Sequence, residues 1–331
     1  EEFSAGRRVV VIIDESQTIK NPTSQAYEAI IQLQSTHKLV LTGTPIENSL
    51  QDLWAQLNFV NPGLLGSLRY FKKQYVTPIE KQHDEKALEK LKKLTAPFIL
   101  RRKKSDVAKD LPALTEQTIM CEMTDEQAKI YDKQKSIARN ALLNIFSSKT
   151  IGNNTTIVLN SLNTLRQIAN SPALIDETYN EESGKTEIVT RHLENIVAEQ
   201  HKVLVFSSYV KHLDLYEKIC KNNQWGYTKL TGSVPQKERE SLVDKFQTDE
   251  NTNIFLILLK AGGVGLNLTA ADYVMILDPW WNPAAEAQAV NRAHRIGQTN
   301  NVMVYRYISE NTIEEKIQTL QSKKQKLSNE L

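Results

Sequence analysis

Leu259 to Gln298 reads LKAGGVGLNLTAADYVMILDPWWNPAAEAQAVNRAHRIGQ, and its punctuation governs how the surrounding chain is built. A strand end at Leu259 runs into a glycine loop, a second apolar strand covers Tyr273 to Leu277, and a helix follows. The helix start is well marked: Asn282 is a good N-cap, and Pro283 takes the first helical position, where its missing N–H costs nothing. Gly297 stands where the helix is expected to stop. Arg292 and Arg295, three residues apart, then share one face, with Gln288 one turn before Arg292. Two guanidiniums projecting together suit a polyphosphate, since each offers a planar fork of donors and a permanent charge. The same spacing also describes a solvated helix face, and the pair alone does not choose.

Outward from this stretch, Lys202–Ser208 is a buried-type strand with a polar end, and further strands are read at Tyr227–Ser233, Ile254–Leu259 and Val302–Ile308, separated by helical patterns. Strands alternating with helices imply a doubly wound α/β lobe. Near the start, Val9–Ile13 is a continuous β-branched run ending in Asp14–Glu15, and acids at the C-terminal end of such a strand sit where parallel sheets bind ligands. KLVLTGTP, Lys38 to Pro45, is the next strand and loop; Thr42, Gly43 and Thr44 offer small hydroxyls and a flexible backbone. Leu53, Trp54, Leu57 and Val60 recur at helical spacing and are read as core. A long amphipathic helix is expected from Thr124 to about Ser148, a loop over Ser147–Thr156, and helix again over Val158–Asn170. Gly184–Lys185–Thr186 mimics the end of a phosphate loop, but the pattern needs Gly where Tyr179 stands; Asp176–Glu187 is read as an acidic surface loop. Ile313, Ile317, Leu320 and Leu327 form a helical stripe near the end.

The 331 residues allow two ordinary domains, and no run approaches a membrane span. Cys121 and Cys220 form no CxxC pair or His cluster, which points to a reduced intracellular protein with two structural thiols. A formal charge of +2 gives no nucleic-acid signal, so DNA affinity must reside in local patches such as Arg101–Arg102–Lys103–Lys104.

KAGGVGLNLTAAD, DPWWNP and QAVNRAHRIGQ, with DESQ at Asp14–Gln17, LTGTPIEN and LRQIAN, resemble the motifs of the Swi/Snf-type DNA-dependent ATPases of helicase superfamily two. Two departures stand out: Gln17 and Ser171 occupy places where His is commoner. The resemblance implies a RecA-like fold in two parts. Residues 1–116 would be a truncated remnant of the first lobe, with a helical protrusion at about 52–96 and a final strand with a basic exit within Pro97–Pro112. Residues 117–331 would be a complete second lobe, with a helical insertion at about 124–175 and a brace helix at about 312–331. It also implies ATP and Mg²⁺ as cofactors. Asp14 would hold Mg²⁺ through water, and Glu15 would orient or deprotonate the attacking water. Arg292 and Arg295 would meet the phosphates, and Gly263 and Gly265 would let backbone approach the nucleotide. Gln17, Thr42, Gly43, Thr44 and Gln288 would couple nucleotide state to movement. Lys260, Trp281, Arg101 and Arg102 would contact DNA; Trp280 is read as core.

The resemblance implies an ATP-dependent translocase on double-stranded DNA that remodels protein–DNA complexes. Its expected partners are duplex DNA, the missing N-terminal half of the motor lobe and a protein on DNA, with no membrane. None of the twelve glycines heads a phosphate loop. The chain alone is therefore expected to be inactive, and the Val9–Ile13 and Leu39–Leu41 strands to be poorly ordered or paired with another copy. A non-catalytic DNA- or partner-binding fragment and a strand-separating DNA or RNA helicase remain alternatives. Localisation is expected to be cytoplasmic and nucleoid-associated in a bacterium, nuclear in a eukaryote.

Overall fold

The computed structural model describes residues 8–43, 45–46, 49–102, 104–147, 154–261 and 266–330. The chain forms two compact units: one runs to Val107 and takes in Asn282–Ala284 and the chain from Ser322, and the other comprises Ala108–Trp281 and Ala285–Gln321. The units part upstream of the expected 116/117 boundary because the next strand begins at Leu114 and pairs along its whole length within the second unit.

In the first unit, β1 (Arg8–Ile13) and β2 (Ser35–Val40) pair in parallel, with α1 (Gln25–Ile31) between them in sequence. The two strands pair with each other and with no third strand among the described residues, and their faces stay open: Val9 is 71% exposed, Ile12 58% and Leu39 48%. The helices that follow are α2 (Leu50–Val60), α3 (Leu68–Phe71), α4 (Thr77–Gln82), α5 (Glu85–Thr95) and α6 (Lys104–Val107). Ser49 and Asp52 form a reciprocal capping box that starts α2 and satisfies orphan N–H groups. The expected apolar stripe of α2 is core: Leu53, Trp54 and Leu57 are buried with Phe59, Phe71, Tyr75 and Leu91, and Val60 packs against them. The strand expected within Pro97–Pro112 is absent among the described residues. Pro97 sits in a 3₁₀ turn, Ala96–Phe98, where its fixed φ fits and its missing N–H is not needed; Leu100 beyond it is 81% exposed.

The second unit is a six-stranded parallel sheet in the order β3-β8-β7-β4-β6-β5. Its strands are β3 (Leu114–Cys121), β4 (Val203–Ser207), β5 (Tyr227–Leu230), β6 (Ile254–Leu258), β7 (Tyr273–Ile276) and β8 (Val302–Ser309). Helices α7 (Asp125–Ser147) and α8 (Asn154–Asn170) pack on each other, and α9 (Gly184–Ala198), α10 (Val210–Asn222) and α11 (Gln236–Thr248) follow, with α12 (Pro283–Ala293) belonging to this unit from Ala285 and α13 (Ile313–Glu330) up to Gln321. Period-two alternation sends Leu204, Phe206, Phe255 and Ile257 to one face with Phe246 of α11 and Val290 of α12. Val203, Val205, Ile254 and Leu256 go to the other, against Leu193 of α9 and Tyr216 of α10. Both faces are covered, which is the doubly wound arrangement expected from the continuous apolar runs.

Two local readings change. Gly184–Lys185–Thr186 opens α9 rather than lying in a surface loop: Ser183 caps the helix by accepting from Thr186 N, and Lys185 is 1% exposed. A Cβ on Gly184 would lie 1.8 Å from the Glu122 carbonyl oxygen, so the glycine is there for close packing and not for phosphate. In α13, Ile317 is buried but Leu320 is 48% exposed, and the fully buried Glu314 takes part in the inward face instead.

Candidate nucleotide and nucleic-acid site

Strand β1 delivers Asp14 and Glu15 at its C-terminal end. Glu15 has φ 49° and ψ 52°, a left-handed conformation that a non-glycine residue seldom adopts, and its N–H donates to Asp14 Oδ1 at 2.8 Å. From there a chain of side-chain bonds crosses to the loop after β2. Gln17 Nε2 donates to Glu15 Oε2 at 2.7 Å, and Thr42 Oγ1 donates to Gln17 Oε1 at 2.9 Å. The Gln17 amide stands in the middle, donating to the carboxylate and accepting from the hydroxyl. Below it, Ser16 Oγ donates to Gln56 Oε1 at 2.7 Å and Ser16 N to the Leu41 carbonyl at 3.0 Å, tying the turn to α2 and to the strand end. Gly43 is exposed in the same loop, and Thr44 lies outside the described residues. Among the described residues no group of three or more His, Cys, Asp or Glu converges as a metal site. A single exposed carboxylate such as Asp14 suits Mg²⁺, which retains most of its waters and takes one or two protein ligands.

The second cluster stands at the carboxyl ends of β4, β6 and β7, where the strand order reverses across β4 and open α/β sheets bind their ligands. Asp278 is fully buried. Its Oδ1 accepts from Ser207 Oγ at 2.6 Å and Ser208 N at 3.0 Å, and its Oδ2 from Arg166 Nη2 at 3.3 Å. Burial opposes its ionisation, yet His212, the Arg166 charge and the Ser207 hydroxyl together hold the carboxyl well below the usual aspartate range. Arg166 is itself 2% exposed, and its guanidinium carbon lies 5.2, 5.1 and 5.7 Å from the ring centroids of Tyr209, Trp280 and Trp281. Lys260 is exposed, with its ammonium 5.0 Å from the Trp280 ring. Lys260 and Trp281 are therefore brought together through Trp280, which packs on the core as expected.

Arg292 and Arg295 do not share a helical face. Asn282 caps α12 as expected, with its Oδ1 accepting from Ala284 N at 3.0 Å, but the helix ends at Ala293 and not at Gly297. Gln298 explains the early stop: its side-chain amide donates to the Ala293 carbonyl at 3.1 Å and to Ala271 at 2.8 Å, supplying a terminal partner that the next turn would otherwise provide. Arg292 is 8% exposed, with Nη1 3.4 Å from the Leu266 carbonyl, whereas Arg295 is exposed. Gln288 is half-buried one turn before Arg292. Gly263 and Gly265 lie outside the described residues, and Arg101 and Arg102 are exposed in the first unit.

Residues 2–174 match the SNF2-related domain, and residues 184–297 match the helicase conserved C-terminal domain. The chain belongs to the Swi/Snf-type family. A Bacillus subtilis relative named as a putative ATP-dependent helicase/translocase, YwqA, is 38% identical over the whole chain, which spans 36% of that protein. A Mycoplasma genitalium protein named as an uncharacterized ATP-dependent helicase is 38% identical over 96% of the chain and 30% of its own length. The Swi/Snf chain thus spans about a third of these relatives. Among solved structures, the Sulfolobus solfataricus SWI2/SNF2 ATPase core in complex with dsDNA is 36% identical over 98% of this chain and 69% of that one, with a TM-score of 0.57. These likenesses bear out the RecA-like reading.

Sequence reasoning missed the residues that hold the second cluster, Arg166, Glu286 and Gln321, and left Asp278 without a role. A signal was present for one of them: Arg166 stands between Leu165 and Ile168, both core residues of α8, and a charge on an apolar helical face needs a partner.

Proposed function

We propose that this Swi/Snf chain is the later portion of an ATP-driven motor that moves along double-stranded DNA and displaces or remodels bound protein. The observation that carries the reading is the Glu15–Gln17–Thr42 relay, in which a carboxylate fit to orient water is bonded to the loop of the neighbouring strand. A change at the carboxylate is then felt at Thr42 without an intervening solvent path. In this reading Asp14 holds Mg²⁺ through its waters, Glu15 orients and accepts the proton of the attacking water, and Gln17, Thr42, Gly43, Thr44 and Gln288 transmit the state of the site. ATP with Mg²⁺ supplies the reactive phosphoryl group. Arg292 and Arg295 stabilise its charge, and Gly263 and Gly265 admit backbone to the nucleotide. Lys260 contributes a phosphate-binding charge that reads no sequence, Trp281 an amphipathic wedge, and Arg101 and Arg102 further backbone contacts.

Lys185 and Thr186 are buried in the second unit and do not serve as a phosphate loop; in this reading that loop is supplied by chain outside these 331 residues. The test is ATP hydrolysis by the full-length protein with duplex, single-stranded and no DNA, beside Glu15→Gln. Duplex-selective stimulation abolished by Glu15→Gln is expected. Equal stimulation by single strands with release of a labelled strand would make the protein a strand-separating helicase, and hydrolysis insensitive to Glu15→Gln would overturn the reading.

A further inference from the structure

The backbone of the Trp280 turn is held on every side. The Pro279 carbonyl accepts from Arg166 Nη2 at 2.9 Å, Trp280 N–H donates to Glu286 Oε1 at 2.8 Å, and the Trp280 carbonyl accepts from Gln321 Nε2 at 2.6 Å. The three partners come from three different helices: Arg166 from α8, Glu286 from α12 and Gln321 from α13. Two of them also bond to each other and outward: Gln321 Nε2 reaches Glu286 Oε1, and Arg306 of β8 donates to Glu286 Oε2 at 3.3 Å. Glu286 is 3% exposed. Burial raises its pKa, while the Trp280 N–H, Gln321 and Arg306 oppose that shift.

Hydrogen bonding at this density is not required to pack a tryptophan, whose ring already sits on the apolar core. Its effect is to fix both dihedrals on either side of Trp280, and so to fix where the next side chain, Trp281, departs. The same ring carries Lys260 by a cation–π contact, so the turn sets the position of both proposed DNA-contacting groups.

We propose that Arg166 and Gln321 are positioning residues for DNA engagement, and that through Gln321 the C-terminal helix α13 sets the strength of the contact made by Lys260 and Trp281. The role rests on the DNA-dependent reading above, whereas the clamp itself does not. Gln321 is the more informative of the two because it is half-buried, stands on α13 and not on the helix that carries Arg292, and bonds to the turn and to Glu286.

The experiment uses the full-length protein with Gln321→Ala and has two arms. In the first, amide hydrogen exchange is followed in the peptide spanning Asp278–Pro283, with the β4 and β6 peptides as internal controls. Gln321→Ala removes the donors to the Trp280 carbonyl and to Glu286 Oε1, the acceptor of the Trp280 N–H, so exchange at the Trp280 amide is expected to rise about tenfold as the turn loosens, with β4 and β6 unchanged. In the second, the duplex concentration giving half-maximal ATPase stimulation is expected to rise about tenfold, while kcat at saturating DNA and the DNA-free rate stay within about twofold. If exchange accelerates throughout, Gln321→Met, which keeps the volume and removes the amide, replaces the alanine variant. Unchanged exchange at Trp280 would overturn the clamp. Faster exchange with an unchanged DNA requirement would overturn its role in DNA engagement. A wild-type protein with no DNA-stimulated hydrolysis would sink the functional reading and the role built on it, leaving the exchange arm to decide the clamp.

Discussion

Lys185 Nζ lies 2.7 Å from Glu314 Oε2, with both side chains fully buried, joining the first turn of α9 to the first turn of α13. The ammonium also donates to Asn170 Oδ1 at 2.8 Å and to the Leu277 carbonyl at 2.9 Å, and Glu314 accepts from Ser309 N at 2.8 Å. Removing one partner strands the other charge in the core. Lys185→Ala or Glu314→Ala is expected to destabilise the second unit by about 3–5 kcal/mol, whereas Lys185→Met with Glu314→Leu should be far milder than the sum. Urea unfolding of the four-member cycle checks this; additive single effects would show that the two charges are not coupled.

Gly184→Ala tests the same helix start by sterics alone. A methyl group 1.8 Å from a carbonyl oxygen cannot be accommodated without moving the backbone, so a loss of about 2 kcal/mol or more is expected. A variant as stable as wild type would mean that the α9 terminus is not packed against Glu122.

Asp278 gives the second unit an acid-sensitive term. Its folded pKa is depressed, so the stability it contributes is present above the unfolded value of about 3.9 and is lost as pH falls through the folded one. Asp278→Asn should therefore be less stable at pH 7 by a few kcal/mol, with the gap to wild type narrowing below about pH 4. Chemical denaturation from pH 7 to pH 3 reads it, and a pH-independent gap would remove Asp278 from the acid response.

The cysteines should be silent. Burial pushes the Cys121 thiol up to about 11 and the Cys220 thiol up to about 12, and both are enclosed in the sheet core. A thiol reagent at pH 7 should modify neither until the protein is unfolded. Rapid labelling under native conditions would contradict their placement.

Arg292 and Arg295 should separate in mutagenesis. Arg295→Ala, at an exposed position, is expected to remove ATPase activity by at least about 10³-fold with stability changed by under about 0.5 kcal/mol. Arg292→Ala empties a buried place beneath the Leu266 carbonyl and should cost about 1–3 kcal/mol of stability as well as activity. Equal behaviour of the two in both assays would contradict the difference in burial.

The doubly wound sheet was legible where strands are near-continuous apolar runs between helical patterns, as in β4, β6 and β7, whereas β3, largely polar and exposed, carried no such run. The ends of elements were less so. Gly297 does have a left-handed φ of 102°, as a helix-stopping glycine should, yet α12 ends earlier because the Gln298 side chain bonds back to Ala293. The acidic reading of Asp176–Glu187 failed at Lys185 because its partner Glu314 is distant in sequence, and no local pattern reveals a long-range ion pair. For the same reason the quoted DPWW residues carried no hint that Arg166 and Gln321 would meet there. Asp14, Glu15 and Gln17 were nearer to readable, being contiguous, but the bond from Thr42 depended on β1 and β2 being neighbours.

Glu15 occupies a backbone conformation that costs an ordinary residue about 1–3 kcal/mol and a glycine almost nothing. Selecting variants for heat resistance alone would thus favour glycine here, and would silently discard the one carboxylate bonded to Gln17. Directed evolution of this protein needs turnover in the screen from the first round, because at position 15 robustness and chemistry pull in opposite directions.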